Sequence, residues 1–198
     1  MMISKNDTAD IEDKISAFEE RFNISLPEQY RSFLLKYNGG ITPETEFKYK
    51  RTAIDIRAFY GIGQSIDYYS FDNIFENILK DILPLALFID NGILPIAEDS
   101  FGNYITIGID GENTGKVFFC DHEKGMKTKL LTETFSGFLQ KCKSNEFDPS
   151  DVLSPEEWEK KMIADGKEAF ITDFTRKVVT ETYNLYNGIH LEEVVLPD

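Results

Sequence analysis

The stretch over residues 93–110 constrains the fold of this chain more than any other. It has the pattern of two short strands around a tight turn, because isoleucines recur with period two over 105–109 and Gly102-Asn103 accepts the positive φ of a compact turn. A second turn at 111–115 is followed by an apolar run over 116–120. The pattern predicts a three-stranded antiparallel meander.

Apolar residues spaced three and four apart predict two helices before the meander. The first begins after Asp7 or Asp10, either of which would cap it, and the second ends at Asn38-Gly39-Gly40 in left-handed conformations. We expect the two helices to form a hairpin that packs against a sheet. Their buried stripes are Ile11, Ile15, Phe18 and Phe22 in the first helix, and Tyr30, Phe33, Leu34 and Tyr37 in the second.

Two further helices and two further strands complete the predicted order. Strands are expected over 47–49 and 53–60. A third helix, capped by Ser70 or Asp72, carries Ile74, Phe75, Ile78, Leu79 and Ile82 and stops at Pro84. A fourth starts near Thr132 or Thr134 and carries Phe135, Phe138, Leu139 and Cys142. The order predicts an α+β fold, an antiparallel or mixed twisted sheet flanked by helices.

Length and charge limit the class of protein. A chain of 198 residues is long enough for one domain with an appendage, which buries about 70% of its extended surface. Cys120 and Cys142 are expected to be buried free thiols, since neither belongs to a CxxC pair. Without an N-terminal apolar run or an apolar segment of about 20 residues, we expect a soluble cytoplasmic protein that does not bind membranes.

The net charge argues against one large class of partner. Thirty-five acidic against 21 basic residues give a formal net charge of −14, which repels a phosphate backbone and favours cationic partners. Direct nucleic-acid binding is therefore not expected. Solubility alone is the alternative reason for the surplus acid.

Short motifs along the first three quarters of the chain resemble the successive blocks of the SUKH superfamily. That superfamily includes the yeast cell-wall-assembly regulator and many bacterial immunity proteins. Each block is weak by itself, but the order over residues 8 to 145 matches the family. The blocks are Leu26-Pro27-Glu28-Gln29-Tyr30, Phe33-Leu34, Asn38-Gly39-Gly40, Phe59-Tyr60-Gly61-Ile62-Gly63, Leu94-Pro95-Ile96-Ala97, Gly102-Asn103, Gly115-Lys116-Val117-Phe118 and Phe135-Ser136-Gly137-Phe138-Leu139.

The resemblance implies a binding protein without catalytic activity or cofactor. Bacterial members commonly neutralise a cognate polymorphic toxin, often a nuclease, by direct complex formation. A nuclease is basic at its active cleft, and an acidic partner is complementary to it. The alternative, from the eukaryotic relatives, is a regulatory or scaffolding protein.

Acidic turns of the meander are the predicted contact surface. All the chosen residues stand at strand ends or turns, where side chains are presented rather than buried. Tyr104 would be an aromatic anchor. The alternative is that the aspartates only stabilise turns and that Tyr104 only covers the sheet. The six residues are Glu98, Asp99, Tyr104, Asp110, Glu112 and Asp121.

A metal-dependent hydrolase is a remote alternative. Carboxylates and imidazoles are ligands for divalent metals. However, the chain has no HExxH, no GxxxxGK and no GxSxG, and its histidines are His122 and His190. We therefore predict no metal site. The residues that such a site would use are Asp99, Asp110, Asp121, His122 and Glu123.

The last part of the chain is predicted to be a helical extension. The domains expected are a SUKH-like α+β domain over 1–148 and an extension over 149–198. Ser154-Pro155-Glu156-Glu157 is a capping box that starts one helix, and an apolar pattern through Phe170, Phe174, Val178 and Tyr183 indicates another. Because this segment is so apolar, we expect it to pack either on the main domain or on a second subunit. In the second case the protein would be a homodimer.

Overall fold

In the computed structural model, which describes residues 1–4, 8–50, 52–63, 69–75, 84–124 and 127–196, an antiparallel sheet of seven strands organises the larger of two units. The spatial order of the strands is β7-β6-β5-β4-β3-β2-β8. Their bounds are Gly40–Tyr49 (β2), Thr52–Phe59 (β3), Ile93–Glu98 (β4), Tyr104–Gly108 (β5), Val117–Asp121 (β6), Lys127–Thr132 (β7) and Cys142–Ser144 (β8).

The predicted meander is confirmed as β4, β5 and β6, with antiparallel pairing throughout. The sequence pattern did not predict β7, whose residues alternate between lysine and threonine before two leucines. Strand β2 also begins earlier than expected, because its first half contains Pro43 and a register shift between Ile41 and Thr45, where Glu44 has φ 49°. Such a bulge interrupts the alternation on which strand prediction depends.

Helices α1 (Ile11–Phe22), α2 (Glu28–Tyr37) and α5 (Phe135–Lys141) follow the predicted stripes. Rings from α2 and α5 contact rings of the sheet, since Phe33 lies 5.1 Å from Phe59 and Phe138 lies 4.9 Å from Phe47. The two helices also contact each other, with 5.4 Å between the rings of Phe33 and Phe135. Aromatic pairs of this kind contribute about 0.5–1.5 kcal/mol each beyond the area they bury. The core therefore forms where these helices meet β2 and β3.

Three local predictions for these helices are corrected or limited by the structure. Asp10 precedes α1 but makes no capping hydrogen bond, because its φ of 56° is left-handed and not the extended conformation of a capping residue. Asp7, the other proposed cap, lies outside the described residues. Thr134 does cap α5 by accepting a hydrogen bond from Gly137 N. Cys142 is not helical but begins β8, although it and Cys120 are buried free thiols as expected.

The third predicted helix is described only at its start, as α3 (Phe71–Asn73), with Ile74 and Phe75 buried after it. Ser70 precedes α3 without a capping bond, and the Asp72 side chain accepts instead from Gly63 N at 3.0 Å. The expected positions Ile78, Leu79 and Ile82 lie outside the described residues. Pro84 does not lead straight into the meander, because α4 (Leu85–Asp90) starts immediately after it.

The motif Asn38-Gly39-Gly40 joins α2 to β2 with three successive positive φ angles of 49°, 73° and 135°. A Cβ at Gly39 would lie 2.6 Å from the carbonyl oxygen of Phe59, and one at Gly40 would overlap the carbonyl oxygen of Ser4. The buried Asn38 side chain donates to the Ile62 carbonyl and to Thr8, and accepts from the Ile62 amide. The turn is therefore held by backbone approaches that a larger residue would prevent.

A two-stranded antiparallel sheet joins the two ends of the chain. It pairs β1 (Met2–Ser4) with β9 (Leu191–Glu193), and neither strand was expected from the sequence. The Met2 amide also donates to Ser144 at the end of β8, at 2.8 Å. Beyond β9, the Val195 amide donates to the hydroxyl of Tyr37 at 2.8 Å. Residues 191–198 therefore belong to the larger unit, unit 1, together with residues 1–145.

Unit 2 comprises residues 146–190 and contains two helices, α6 (Pro155–Ala164) and α7 (Asp173–Tyr186). The predicted capping box is present, since Ser154 accepts from the Glu157 amide and the Glu157 carboxylate accepts from the Ser154 amide. Within the unit, the Phe147 ring lies 4.8 Å from the Tyr186 ring. The predicted apolar pattern from Phe170 onward runs along α7, but much of it is exposed.

Candidate partner-binding site

The turns of an antiparallel meander alternate between its two ends, which separates the six predicted contact residues into two groups. Tyr104, at the start of β5, pairs with Glu98 on one side and Cys120 on the other. Asp110 and Glu112 follow the opposite end of β5, beyond Gly108. Because a strand rises about 3.4 Å per residue, the groups are at least about 14 Å apart. Glu98, Asp99, Tyr104 and Asp121 form the first group.

The expectation that all six side chains are presented to solvent is wrong for part of the first group. Asp99 is only 4% exposed. Its carboxylate accepts from the amides of Phe101 and Asn103, at 2.9 and 2.8 Å, and from the Asn103 side chain. These bonds close the turn between β4 and β5, so Asp99 stabilises the backbone, as the alternative interpretation of this residue proposed.

Glu98 is half-buried at the same end of the meander. Its carboxylate accepts from the Tyr60 hydroxyl at 2.8 Å and lies 3.9 Å from the Arg57 guanidinium. Burial raises the pKa of Glu98, while the bond from Tyr60 and the charge of Arg57 oppose that rise. The carboxylate is therefore engaged within the sheet.

Tyr104 and Asp121 also have partners within unit 1. Tyr104 is 7% exposed, its ring lies 5.2 Å from that of Phe88, and burial raises its pKa to about 12. A buried ring is not an accessible anchor. Asp121 is paired with the Lys124 ammonium, whose hydrogen bond lowers the pKa of the carboxyl.

The second group of residues is exposed, as predicted. Asp110 and Glu112 flank Gly111, which starts a 3₁₀ turn with φ 56°. The last residue of α4, Asp90, is exposed at the same end, where the Ile109 amide donates to the Gly92 carbonyl at 2.9 Å. We call Asp90, Asp110 and Glu112 the acidic edge. Asp90 was missed because α4 itself was not predicted from the sequence.

Nothing within the described chain neutralises the acidic edge. Asp90, Asp110 and Glu112 form no ion pair with any described residue. The neighbouring Lys116 pairs with Glu133 instead, at 3.6 Å. Three exposed carboxylates at one end of the sheet attract a cationic surface at long range.

The residues of the metal-site alternative do not converge. Asp110 lies at the opposite end of the meander from Asp99, and the His122 ring nitrogen Nδ1 lies 3.1 Å from the amide oxygen of Asn103. Over the part of the chain that the structure describes, no three His, Cys, Asp or Glu side chains are grouped so that they could hold a metal ion.

The order of elements in unit 1 can be compared with known families. A family model described as SMI1 / KNR4 family (SUKH-1) matches residues 12–141, well over half of the chain. The chain belongs to this family. The match confirms the resemblance carried by the sequence motifs and extends from α1 to the last residue of α5. No curated protein and no solved structure matched the chain.

The SUKH-1 match lies entirely within unit 1 and stops before unit 2 begins at residue 146. Both the acidic edge and the buried turn of Asp99 are therefore parts of the family domain, whereas α6 and α7 are not. Among the described helices, none combines the length and apolar character needed to cross a membrane.

Proposed function

We propose that this SUKH-1 protein is a non-catalytic immunity protein that binds a cognate protein toxin and neutralises it. The observation that carries the proposal is a SUKH-1 domain whose exposed acidic edge forms no ion pair with any residue that the structure describes. Family membership supports a binding role through the resemblance to bacterial immunity proteins. The charge supports a basic target, such as the active cleft of a nuclease.

Charge determines how such a complex forms. The formal charge of −14 attracts a basic protein over a distance of about 30 Å at 0.01 M salt and about 10 Å at 0.1 M. Exposed carboxylates at a rim mainly raise the association rate, and they contribute less to the dissociation rate. We therefore assign the acidic edge to the encounter step of toxin binding.

The direct test is co-expression with the product of the reading frame immediately upstream. We expect the toxicity of that product to disappear and the two proteins to copurify. Rescue without a complex would favour the regulatory alternative. A turnover reaction of the purified chain that one side-chain change abolishes would contradict the absence of catalysis.

A second measurement tests the acidic edge separately. The double variant Asp110→Asn/Glu112→Gln should bind the inactivated upstream product with an association rate about tenfold lower at low salt, and this difference should shrink at 0.5 M salt. The matched control is Asp13→Asn/Glu20→Gln, which removes the same two charges from exposed positions on α1. Equal effects of the two double variants would exclude a local role for the acidic edge.

A further inference from the structure

A cluster of exposed lysines lies beside Tyr49, the last residue of β2. The ammonium group of Lys129, on β7, is 4.3 Å from the centre of the Tyr49 ring, and that of Lys50 is 5.4 Å from it. Lys50 has a left-handed φ of 56° in the turn that follows β2. Lys127 and Lys129 are two residues apart in β7, so their side chains share one face of the strand. We call Lys50, Lys127 and Lys129 the basic rim.

Curvature of the sheet brings the two parts of the basic rim together. In the order of strands, β7 is one edge of the sheet and β2 is five positions away from it. Neighbouring strands lie about 4.8 Å apart, so a flat sheet would separate β7 from β2 by about 24 Å. The contact between Lys129 and Tyr49 therefore exists because the sheet curls and carries β7 toward the turn after β2.

The charges of the basic rim are not neutralised within the part of the chain that the structure describes. None of its three lysines forms an ion pair with a described residue. Asp121 stands opposite Lys127 across β6 and β7, but its carboxylate is engaged by Lys124. An aromatic ring attracts an ammonium group, whereas two ammonium groups beside one ring repel each other. An anionic group bound at the rim would offset this repulsion.

The backbone of β7 indicates the shape of the anionic group's carrier. Strand β7 pairs with β6 on one side and is the edge of the sheet on the other, and residues 127–130 are all exposed. The outward N–H and C=O groups of an edge strand pair with an extended peptide. Residues of such a peptide that face Lys127 and Lys129 would recur with a period of two. A strand with acidic residues at alternate positions therefore matches both the backbone and the charge.

Two other occupants match the basic rim less well. Strand β7 of a second copy would place lysine opposite lysine, and like charges in that position are destabilising. Lysines on an edge strand commonly prevent such pairing, which explains Lys127 and Lys129 but not the approach of Lys50 to the same ring. A nucleic acid cannot extend the sheet through peptide groups, and the charge of −14 repels its phosphates.

We infer that the basic rim binds an extended acidic segment of a partner protein, which adds to the outer side of β7 and places carboxylates opposite Lys127 and Lys129. This contact goes beyond the proposed function and does not depend on it. The acidic edge, which we assign to the toxin, follows the end of β5 at Gly108, whereas Lys127 pairs with the opposite end of the meander at Asp121.

The test titrates the full-length chain with two synthetic octapeptides and follows its backbone amides by NMR. One peptide alternates glutamate with valine, and the other has glutamine in place of glutamate. The glutamate peptide should bind about fivefold more tightly at low salt, and this difference should shrink at about 0.5 M salt. Its binding should shift the amides of β7 and slow hydrogen exchange at alternate residues of that strand.

A pair of double variants tests whether the charges act locally. Lys127→Gln/Lys129→Gln should bind the glutamate peptide about fivefold more weakly than the unchanged chain. The matched control is Lys160→Gln/Lys161→Gln, which removes the same two charges from exposed positions on α6 and should bind like the unchanged chain. Because all four lysines are exposed, neither double variant should alter the unfolding midpoint by more than a small amount.

Four results would overturn the inference. Equal affinities of the two peptides would show that the carboxylates are not recognised. Equal losses in the two double variants would show that the basic rim has no local role. Binding that leaves the amides of β7 unshifted would exclude addition of a strand. A single-stranded oligothymidylate that binds more tightly than the glutamate peptide and displaces it would assign the basic rim to phosphates instead.

Discussion

Asn38 is the side chain whose removal should destabilise unit 1 most clearly. Its amide donates to the Ile62 carbonyl at 2.9 Å and to the Thr8 hydroxyl at 2.7 Å, and its oxygen accepts from the Ile62 amide at 2.9 Å. In Asn38→Ala the buried amide and carbonyl of Ile62 lose these partners, at a cost of about 1–3 kcal/mol each. The left-handed φ of 49° adds about 1 kcal/mol for alanine.

The expected loss for Asn38→Ala is therefore about 3–7 kcal/mol, compared with a total stability of about 5–15 kcal/mol for a typical domain. Asn38→Gly removes the same hydrogen bonds but adopts the left-handed conformation freely, so it should be about 1 kcal/mol more stable than Asn38→Ala. The comparison separates the hydrogen-bond contribution from that of backbone strain.

The measurement is equilibrium urea unfolding followed by far-UV circular dichroism. Fluorescence is unsuitable, since the single tryptophan, Trp158, belongs to α6 in unit 2 and would report on that unit. A loss below about 1 kcal/mol in Asn38→Ala would refute the hydrogen-bond argument. A glycine variant no more stable than the alanine variant would refute the argument from backbone strain.

Four other predictions concern stability. Tyr30→Phe should be neutral or stabilising by about 1 kcal/mol in urea unfolding, because the buried Tyr30 hydroxyl has no hydrogen-bond partner among the described residues. Tyr37→Phe should instead lose about 1 kcal/mol, since it removes the acceptor of the Val195 amide, and the reverse order of the two variants would contradict this reasoning. Burial raises the pKa of Glu98 above the ordinary 4.5, so its protonated form favours folding below pH 4.5 and stability falls as pH rises through the folded value. In unfolding experiments repeated across this pH range, Glu98→Gln should abolish the fall in stability. An unchanged dependence of stability on pH would show that another group causes it. Replacing residues 146–190 by a short Gly-Ser linker should leave unit 1 folded, whereas ending the chain at residue 145 should destabilise unit 1 through loss of β9. Hydrogen exchange at the Ile3 amide, which lies in the strand that pairs with β9, should be slow in the linker variant and fast in the truncated one. Equal protection of this amide in both variants would contradict the role of β9.

Local periodicity was sufficient to predict the central elements of unit 1. The stripes of α1, α2 and α5 and the alternation of the meander are repeated over several residues, so short-range patterns identify them. Strands β1, β8 and β9 have three residues each and depend on partners far along the chain. Strand pairing over such separations leaves no local signal, which is why Cys142 was assigned to the preceding helix.

The candidate site was less predictable for a different reason. Tyr104 lies on the side of β5 opposite Ile105 and Ile107, and alternation favoured exposure of that side. All five residues of β5 are buried, so the alternation could not predict which side chains of this strand are exposed to solvent. Acidic residues in turns likewise divide into those that bond their own backbone, such as Asp99, and those whose side chains show no such bond within the described ranges, such as Asp110. Only the hydrogen bonds distinguish the two kinds.

The pairing of β1 with β9 has a consequence for how the chain can diversify. Ser144 and Leu191 border unit 2 in sequence and both contact β1, Ser144 through the Met2 amide and Leu191 opposite Ser4. Unit 2 is therefore an insertion anchored at two nearby points, and the family domain closes without it. A change of length or sequence within unit 2 therefore leaves the strand pairs of unit 1 in place, as an insertion between two closely spaced points of a folded domain generally does.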